Sequence, residues 1–198
     1  MNDTILPVIV YAESTPNPAT MKFVANRPLV TDRTVEYTDA SQAKGSPLAT
    51  ELFRFPFIKG VYIAANFVTI TKSPAVDWVE VMNELRDFMK EFLDSGKAVV
   101  ESYPEPVPHE SRASEAAALN PSETEARIID ILDEYIKPAV EQDGGEIAFR
   151  SFDNGVVNVV LRGACSGCPS STLTLKAGIE QLLKRMVPGV ESVVAENE

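Results

Sequence analysis

The sequence predicts an α+β protein built from two small layered domains that are joined by a proline-rich linker. A length of 198 residues allows one or two domains of roughly 100 residues, each large enough to bury its own core. Helix and strand patterns alternate in both halves, and between them stand Pro104, Pro106 and Pro108. Because proline fixes φ and favours an extended spacer, we divide the chain into a domain at 1–100, a flexible acidic linker at 101–121 and a domain at 122–198.

The first domain alternates strand and helix signals. Runs rich in β-branched and aromatic residues predict strands at Val8–Tyr11, Met21–Ala25, Thr34–Thr38, Val61–Ala65 and Phe67–Thr71. Ser46 as N-cap and Pro47 at the first helical position predict a short helix that reaches Phe53. Apolar residues spaced by four and three predict an amphipathic helix over Ala75–Ser95. We interpret this domain as an accessory recognition or structural module, because no catalytic set or phosphate-binding loop is present.

The second domain is predicted to have the order α-β-β-α-β, with helices covering one face of a small mixed sheet. Its first helix runs from Glu123 to Gln142, is kinked near Pro138 and ends at Asp143-Gly144-Gly145. The residues expected on its core-facing stripe are Ile128, Leu132, Tyr135 and Ala139. Two strands then flank the hairpin signal Asn154-Gly155. After the second helix, a last strand is expected at Val190–Ala195.

The composition is that of an ordinary soluble globular protein, and the charge limits its partners. Acidic residues outnumber Lys and Arg by 29 to 18, which gives a net charge of −11. Residues 101–198 hold 17 acids and 8 bases, whereas residues 1–100 hold 12 and 10. Since phosphate binding needs clustered Lys and Arg, we expect no nucleic-acid partner. The absence of an apolar span and of a recognisable presequence predicts a cytoplasmic protein with no membrane contact.

One short motif, Cys165-Ser166-Gly167-Cys168, carries recognisable chemistry. Its two-residue spacer lets both sulfurs turn toward one ligand, and the nearby glycines let the backbone approach a bulky group. Pro169 fits the first position of the following helix, which makes Cys168 the expected N-cap. Because the positive end of a helix favours anionic sulfur, we expect lowered thiol pKa values in an accessible surface loop.

The residues alone leave several uses of this pair open. A thioredoxin-like thiol–disulfide protein also places Cys-x-x-Cys at a helix start, but that fold needs more chain than the 30 residues after Cys168. A zinc-binding interaction module needs four soft ligands, whereas the chain holds two cysteines and a single histidine, His109, in the linker. A site shared by two chains would supply four thiolates, which suit zinc or an iron–sulfur cluster.

The motif and its surroundings resemble the C-terminal domain of the Nfu type of NifU-like iron–sulfur cluster assembly proteins. The residues that carry this resemblance are Asp143-Gly144-Gly145, Leu161, Gly163, Cys165, Cys168, Pro169, Ser171, Thr174, Leu175 and Gly178-Ile179-Glu180. The first half is similar to the Nfu N-terminal domain at Thr15–Pro18, Thr20–Phe23, Ser46–Ala49, Leu52-Phe53, Gly60-Val61 and Val68–Lys72. The likeness covers nearly all of both domains and leaves out the linker.

The resemblance implies a non-enzymatic scaffold or carrier for iron–sulfur clusters. It implies that Cys165 and Cys168 are the cluster and metal ligands, and that two chains bridge one cluster, 4Fe–4S in preference to 2Fe–2S. Upstream assembly machinery would load the chain, and apo iron–sulfur proteins would receive the cluster. The chain would be a homodimer when loaded and a monomer when empty, and the N-terminal domain would have an accessory role. Asp143 is interpreted first as a helix terminator and second as a functional residue. Lys176, Lys184 and Arg185 are each interpreted first as part of a solvated helix face and second as a positive charge that offsets the cluster's negative charge.

Overall fold

The computed structural model of the chain describes residues 7–31, 33–104, 123–166 and 169–197. The chain divides into two compact units, Met1–Glu105 and Pro106–Glu198, and each has its own apolar core. Both units are of the α+β class that the sequence predicts. Most of the predicted linker lies outside the described residues, as does His109, so the flexibility of the linker and its boundaries stay predictions. None of the described helices is long and apolar enough to cross a membrane.

The first unit is a five-stranded antiparallel sheet with two helices. Its strands are β1 (Val10–Ser14), β2 (Thr20–Ala25), β3 (Val35–Tyr37), β4 (Ile58–Ala64) and β5 (Phe67–Lys72). They lie in the order β1-β2-β5-β4-β3. A 3-10 turn (Gln42–Gly45) leads into helix α1 (Pro47–Leu52), and helix α2 (Trp78–Asp94) follows the sheet. The predicted strands are therefore confirmed, with ends that differ by at most three residues.

Alternation along the strands gives this sheet a buried cluster on each face. Phe23, Ile63 and Ile70 point to one face and pack in the main core with the buried residues of α1 and α2. Residues of the same strands that point to the other face form a second buried cluster there: Val24, Tyr62, Ala64 and Phe67. All six residues of β2 are buried, as is expected of an interior strand that is covered on both sides.

Side-chain caps determine where the two helices of the first unit begin. The Ser46 hydroxyl accepts the N–H of Ala49 at 3.1 Å, so α1 begins at Pro47 as the sequence predicts. Helix α2 begins at Trp78, three residues later than predicted, because Asp77 and Glu80 form a capping box there. Trp78 packs edge-on against Phe23 with ring centroids 6.5 Å apart.

The second unit follows the predicted α-β-β-α-β order. Its elements are α3 (Glu123–Ile131), a π-helical turn (Leu132–Ile136), α4 (Lys137–Gln142), β6 (Gly145–Asp153), β7 (Val156–Gly163), α5 (Pro169–Met186) and β8 (Ser192–Asn197). Strand β7 pairs antiparallel with β6 and parallel with β8, which makes the mixed sheet that was expected. The predicted hairpin turn is confirmed, since Asn154 and Gly155 have φ of 49° and 81°.

The predicted stripe of the first helix in this unit is wrong in its second half. Tyr135 is 50% exposed and Ala139 is also exposed, whereas Val140 is buried. The π-helical turn explains the error, because it inserts about one extra residue per turn and shifts every later residue around the helix axis. The turn ends at Ile136, two residues before Pro138, which has no N–H to continue a regular helix.

Candidate metal centre

Cys165 lies in the loop that joins β7 to α5, and hydrogen bonds fasten this loop on both sides. On the sheet side, the N–H of Ala164 donates to the carbonyl oxygen of Gly144 at 3.1 Å. On the helix side, the hydroxyl of Thr172 donates to the carbonyl oxygen of Cys165, also at 3.1 Å. The backbone of Cys165 is therefore fixed to the start of β6 and to the first turns of α5.

Cys168 was predicted as the second ligand and as the N-cap of α5, and it lies outside the described residues. Both of these assignments stay predictions. Helix α5 begins at Pro169, as the sequence predicts. The structure therefore describes one half of the predicted ligand pair.

The Cys165 thiol lies directly against the backbone of Gly145. A Cβ atom at Gly145 would lie 2.8 Å from Cys165 Sγ and 2.8 Å from the carbonyl oxygen of Arg162. No ordinary carbon atom tolerates such contacts, so any larger residue here must displace the thiol or the strand. The sequence interpretation used the Gly144-Gly145 pair as the end of a helix and as part of the family resemblance, and it assigned Gly145 no contact with Cys165. The available signal was the second glycine, because a helix end requires a single residue in the left-handed conformation.

Gly163 sets the direction in which the loop leaves β7. Its φ of 66° is in the left-handed region, where a side chain is strained and glycine is not. The carbonyl oxygen of Gly163 accepts the backbone N–H of Ser166 at 3.1 Å and its hydroxyl at 2.9 Å. This tight turn places Cys165 above Gly145 rather than in line with the strand.

The electrostatic setting of Cys165 is opposite to the predicted one. The residue is only 8% exposed, whereas an accessible surface thiol was expected. Burial of the Cys165 thiol and, as a smaller contribution, the negative charge of Asp143 raise its pKa to about 11. The prediction of a lowered pKa at Cys165 is therefore wrong, because desolvation and a nearby carboxylate outweigh the helix end. At neutral pH this thiol keeps its proton.

Asp143 has both of the roles that the sequence interpretation ranked. Its N–H donates to the carbonyl oxygen of Ala139 at 3.0 Å, which closes the last turn of α4. Its carboxylate is also close enough to Cys165 to act on the thiol pKa. A helix terminator thus contributes directly to the electrostatics of the site.

Two of the three basic residues of α5 lie far from the cysteine loop. Lys184 follows the first residue of α5 by 15 positions, which corresponds to about 22 Å along a helix. Its ammonium group lies 2.6 Å from the carboxylate of Glu180 and is paired there. Lys184 and its neighbour Arg185 therefore do not neutralise a cluster in their own loop, and both are exposed, as the solvated-face interpretation predicts.

The described part of one chain does not hold a complete metal site. Within those residues, no three His, Cys, Asp or Glu side chains converge as ligands. The donor that the structure does describe is the sulfur of Cys165, which as a thiolate suits zinc or iron rather than magnesium or calcium. A soft metal centre at this loop therefore needs ligands from elsewhere.

Two family models match most of the chain. The model described as "Scaffold protein Nfu/NifU N terminal" matches residues 10–96, and the model described as "NifU-like domain" matches residues 128–194. The second match contains the Cys165 loop together with Gly145 and Thr172. The two matches correspond to the two halves in which the sequence shows its resemblance.

Whole-chain relatives agree with these matches. The human "NFU1 iron-sulfur cluster scaffold homolog, mitochondrial" is 34% identical over 94% of this chain and 71% of its own length. "NifU-like protein 4, mitochondrial" of Arabidopsis thaliana is 35% identical over 96% of this chain and 66% of its own length. A solved NifU-like protein from Saccharomyces cerevisiae is 24% identical over 52% of this chain and 91% of its own, with a TM-score of 0.44. The chain belongs to the Nfu family of NifU-like scaffold proteins.

Proposed function

We propose that this protein is a non-catalytic scaffold and carrier that holds a labile 4Fe–4S cluster between two chains and passes it to apo-proteins. The observation that carries the proposal is the Cys165 loop, a thiol fixed to a strand and a helix in a chain of the Nfu family. The relatives named as iron–sulfur cluster scaffolds support the same role. Under this proposal Cys165 and Cys168 are the cluster and metal ligands.

The number of thiols requires a second chain. The whole sequence holds two cysteines, and an iron–sulfur cluster of either common type takes four thiolates. Two copies that each supply Cys165 and Cys168 complete this set. A chain that has lost its cluster is then expected to be a monomer, because no thiolate–cluster bonds hold it to the other copy.

Sharing the ligands makes the cluster easy to give away. Each chain supplies half of the ligand set, so separation of the two copies leaves the cluster with two open positions. Thiolates of an apo iron–sulfur protein can fill these positions one at a time. Such a site suits delivery and does not suit a permanent redox centre.

The buried thiol of the empty chain fits this cycle. Cys165 is protonated at neutral pH, and a protonated thiol is a poor nucleophile, so the empty site resists oxidation. When iron binds, an Fe–S bond replaces the S–H bond and the proton leaves to solvent. Upstream assembly machinery, which we propose supplies the cluster, has to draw Cys165 off Gly145 in this step.

The compartment and the N-terminal unit complete the proposal. We propose that the protein works in the cytoplasm, although the human and Arabidopsis relatives are named as mitochondrial. A fractionation experiment with the untagged protein tests this assignment. The N-terminal unit contains no thiol, and we propose that it recognises clients or the upstream machinery rather than the cluster.

Anaerobic reconstitution with iron and sulfide tests the proposal. The wild-type chain is expected to bind iron and sulfide and then to restore the activity of an apo 4Fe–4S enzyme in the presence of an iron chelator. Cys165→Ser and Cys168→Ser should each abolish loading while the circular dichroism spectrum stays unchanged. The matched control is Cys165→Ser combined with Val79→Cys, which keeps two thiols but moves one to an 88% exposed position, and it should also fail to load.

The two alternatives predict different results on the same sample. A zinc-binding interaction module would hold zinc and no acid-labile sulfide. A thiol–disulfide protein would reduce an insulin disulfide as a monomer, with no metal. Either result, or a wild-type chain that takes up neither iron nor sulfide, would contradict the proposed function.

A further inference from the structure

The outward face of the first half of α5 carries an exposed and uncharged surface. We call it the α5 patch, and its residues are Leu173, Thr174, Ala177, Gly178 and Gln181. With a helical repeat of 3.6 residues, these five positions lie on one side of the helix, opposite the buried Ile179 and Leu183. The patch is therefore not needed for the core of its own chain.

Leu173 is the most exposed large apolar side chain among the described residues of the second unit, at 65%. Leucine is ordinarily among the most buried residue types. Leu173 follows Thr172, whose hydroxyl donates to the carbonyl oxygen of Cys165. The exposed leucine is thus fixed beside the proposed ligand loop.

Nothing within the described residues explains why position 178 is a glycine. It lies in the interior of α5, where glycine is less favourable than alanine by up to about 1 kcal/mol. A Cβ atom at this position would meet nothing within 4 Å, and no left-handed φ requires a glycine. Gly145, by contrast, has a Cys165 sulfur over it. A bare backbone on an exposed helix face permits the close approach of another backbone from outside.

The charge distribution indicates what can approach. Residues 122–198 hold 13 acids and 7 bases, so two copies of this domain carry the same net charge and repel one another. The five residues of the α5 patch are uncharged, and the charged residues nearest to them on the helix are Lys176, Glu180, Lys184 and Arg185. Glu180 and Lys184 pair with each other at 2.6 Å. Two acidic chains can therefore bring the five patch residues together without placing carboxylates in the contact.

From these observations we infer that the α5 patch is the protein–protein contact between the two chains that share a cluster, with a second copy of this chain as its occupant. The inference rests on the proposed function, because bridging at the Cys165 loop brings the first turns of both α5 helices together. Leu173 then packs against the partner helix, and Gly178 lets the two backbones approach. The thiolates hold the cluster, while the patch orients the two loops.

Two variants of the patch test this inference in the full chain. Leu173→Glu places a charge in the contact, and Gly178→Leu fills the space that the second backbone would occupy. Val79→Glu is the matched control, because it makes the same kind of change on an exposed helix position of the first unit. Each protein is reconstituted anaerobically, and its dimer dissociation constant is measured by sedimentation together with iron and sulfide per chain.

The inference predicts a dimer that is roughly tenfold weaker or worse in both patch variants, with Val79→Glu equal to wild type. Circular dichroism spectra that match wild type would show that the variants still fold. A loaded wild-type dimer with unchanged dissociation constants in both variants would overturn the inference and leave the proposed function intact. Unchanged dimers that transfer their cluster more slowly to an apo-enzyme would assign the patch to a client instead. A wild-type chain that takes up no iron would overturn the proposed function, and the inference with it.

Discussion

A glycine in each unit, Gly45 in the first and Gly145 in the second, lies directly against another part of the chain, and the two contacts have different consequences. In the first unit, a Cβ at Gly45 would lie 2.1 Å from the carbonyl oxygen of Ser102. The carbonyl oxygen of Gly45 in turn accepts the N–H groups of Glu101 and Ser102, at 2.8 and 3.0 Å. In the second unit, a Cβ at Gly145 would lie 2.8 Å from the Sγ of Cys165.

The difference indicates where function lies in the chain. At Gly45, close approach joins two stretches of backbone and serves only the fold. At Gly145, close approach takes a reactive side chain out of water and thereby sets its pKa. The comparison predicts that only the second unit couples its local packing to thiol chemistry.

The largest effect is expected in the reactivity of Cys165 at neutral pH. In a Cys168→Ser/Val79→Cys variant, Cys165 can be compared with an 88% exposed thiol in the first unit of the same molecule. Because its pKa is about 11 rather than 9.0, Cys165 should react with iodoacetamide on the order of 100-fold more slowly. Mass spectrometry of the alkylated peptides measures both rates, and equal rates would refute the buried, protonated thiol.

The same shift predicts how stability depends on pH. Between pH 9 and about 11 the unfolded chain loses the Cys165 proton while the folded chain keeps it, so the free energy of unfolding should fall across this range. The full shift corresponds to roughly 3 kcal/mol in the second unit. Hydrogen exchange measured on each unit separately checks this, and the Cys165→Ser variant should lack the decline. A decline of equal size in that variant would assign it to other groups.

The two glycines themselves give the next test. Gly145→Ala and Gly45→Ala should each destabilise their own unit, by about 1–3 kcal/mol, because a methyl group has no room at either position. Only Gly145→Ala should also speed the alkylation of Cys165, since the thiol has to leave its buried position. A faster alkylation of Cys165 in Gly45→Ala, or an unchanged one in Gly145→Ala, would contradict the proposed difference between the two glycines.

The smallest effect is expected at Gly178, where a substitution should raise the stability of the second unit rather than lower it. Gly178→Ala should stabilise the second unit of the empty chain by about 0.5–1 kcal/mol, because the position is helical and has open space around it. Hydrogen exchange of the α5 amides is the measurement. A destabilised α5 would mean that Gly178 has a structural role within its own chain.

Much of the fold is local in origin and could therefore be predicted. Ser46-Pro47 specifies the start of α1, because the serine caps the helix and proline fits its first position. Asn154-Gly155 specifies the hairpin, because both residues adopt the positive φ that the turn requires. The exposure of Tyr135 to solvent could not be predicted in the same way. It depends on a π-helical turn, and helical periodicity assumes that every turn has the same number of residues.

The ligands of the candidate site stay predictions, whereas the electrostatics predicted for Cys165 are wrong. The Cys-x-x-Cys motif identified the loop, but the expected low pKa considered only the helix that follows. The raised pKa of Cys165 comes from burial of the thiol and from the charge of Asp143, which lies about 20 residues earlier in the chain. Thr172 gave no signal of its own, because a threonine on a helix is ordinary until its hydroxyl is seen to hold the Cys165 carbonyl.

The central claim is that two chains share one cluster through Cys165 and Cys168. Native mass spectrometry of the anaerobically reconstituted wild-type chain tests it most directly, because the mass gives the number of chains, iron atoms and sulfides in one species. The account predicts two chains with four iron and four sulfide, and bare single chains after the cluster is removed. A cluster carried by a single chain, or a dimer that holds zinc without sulfide, would contradict it.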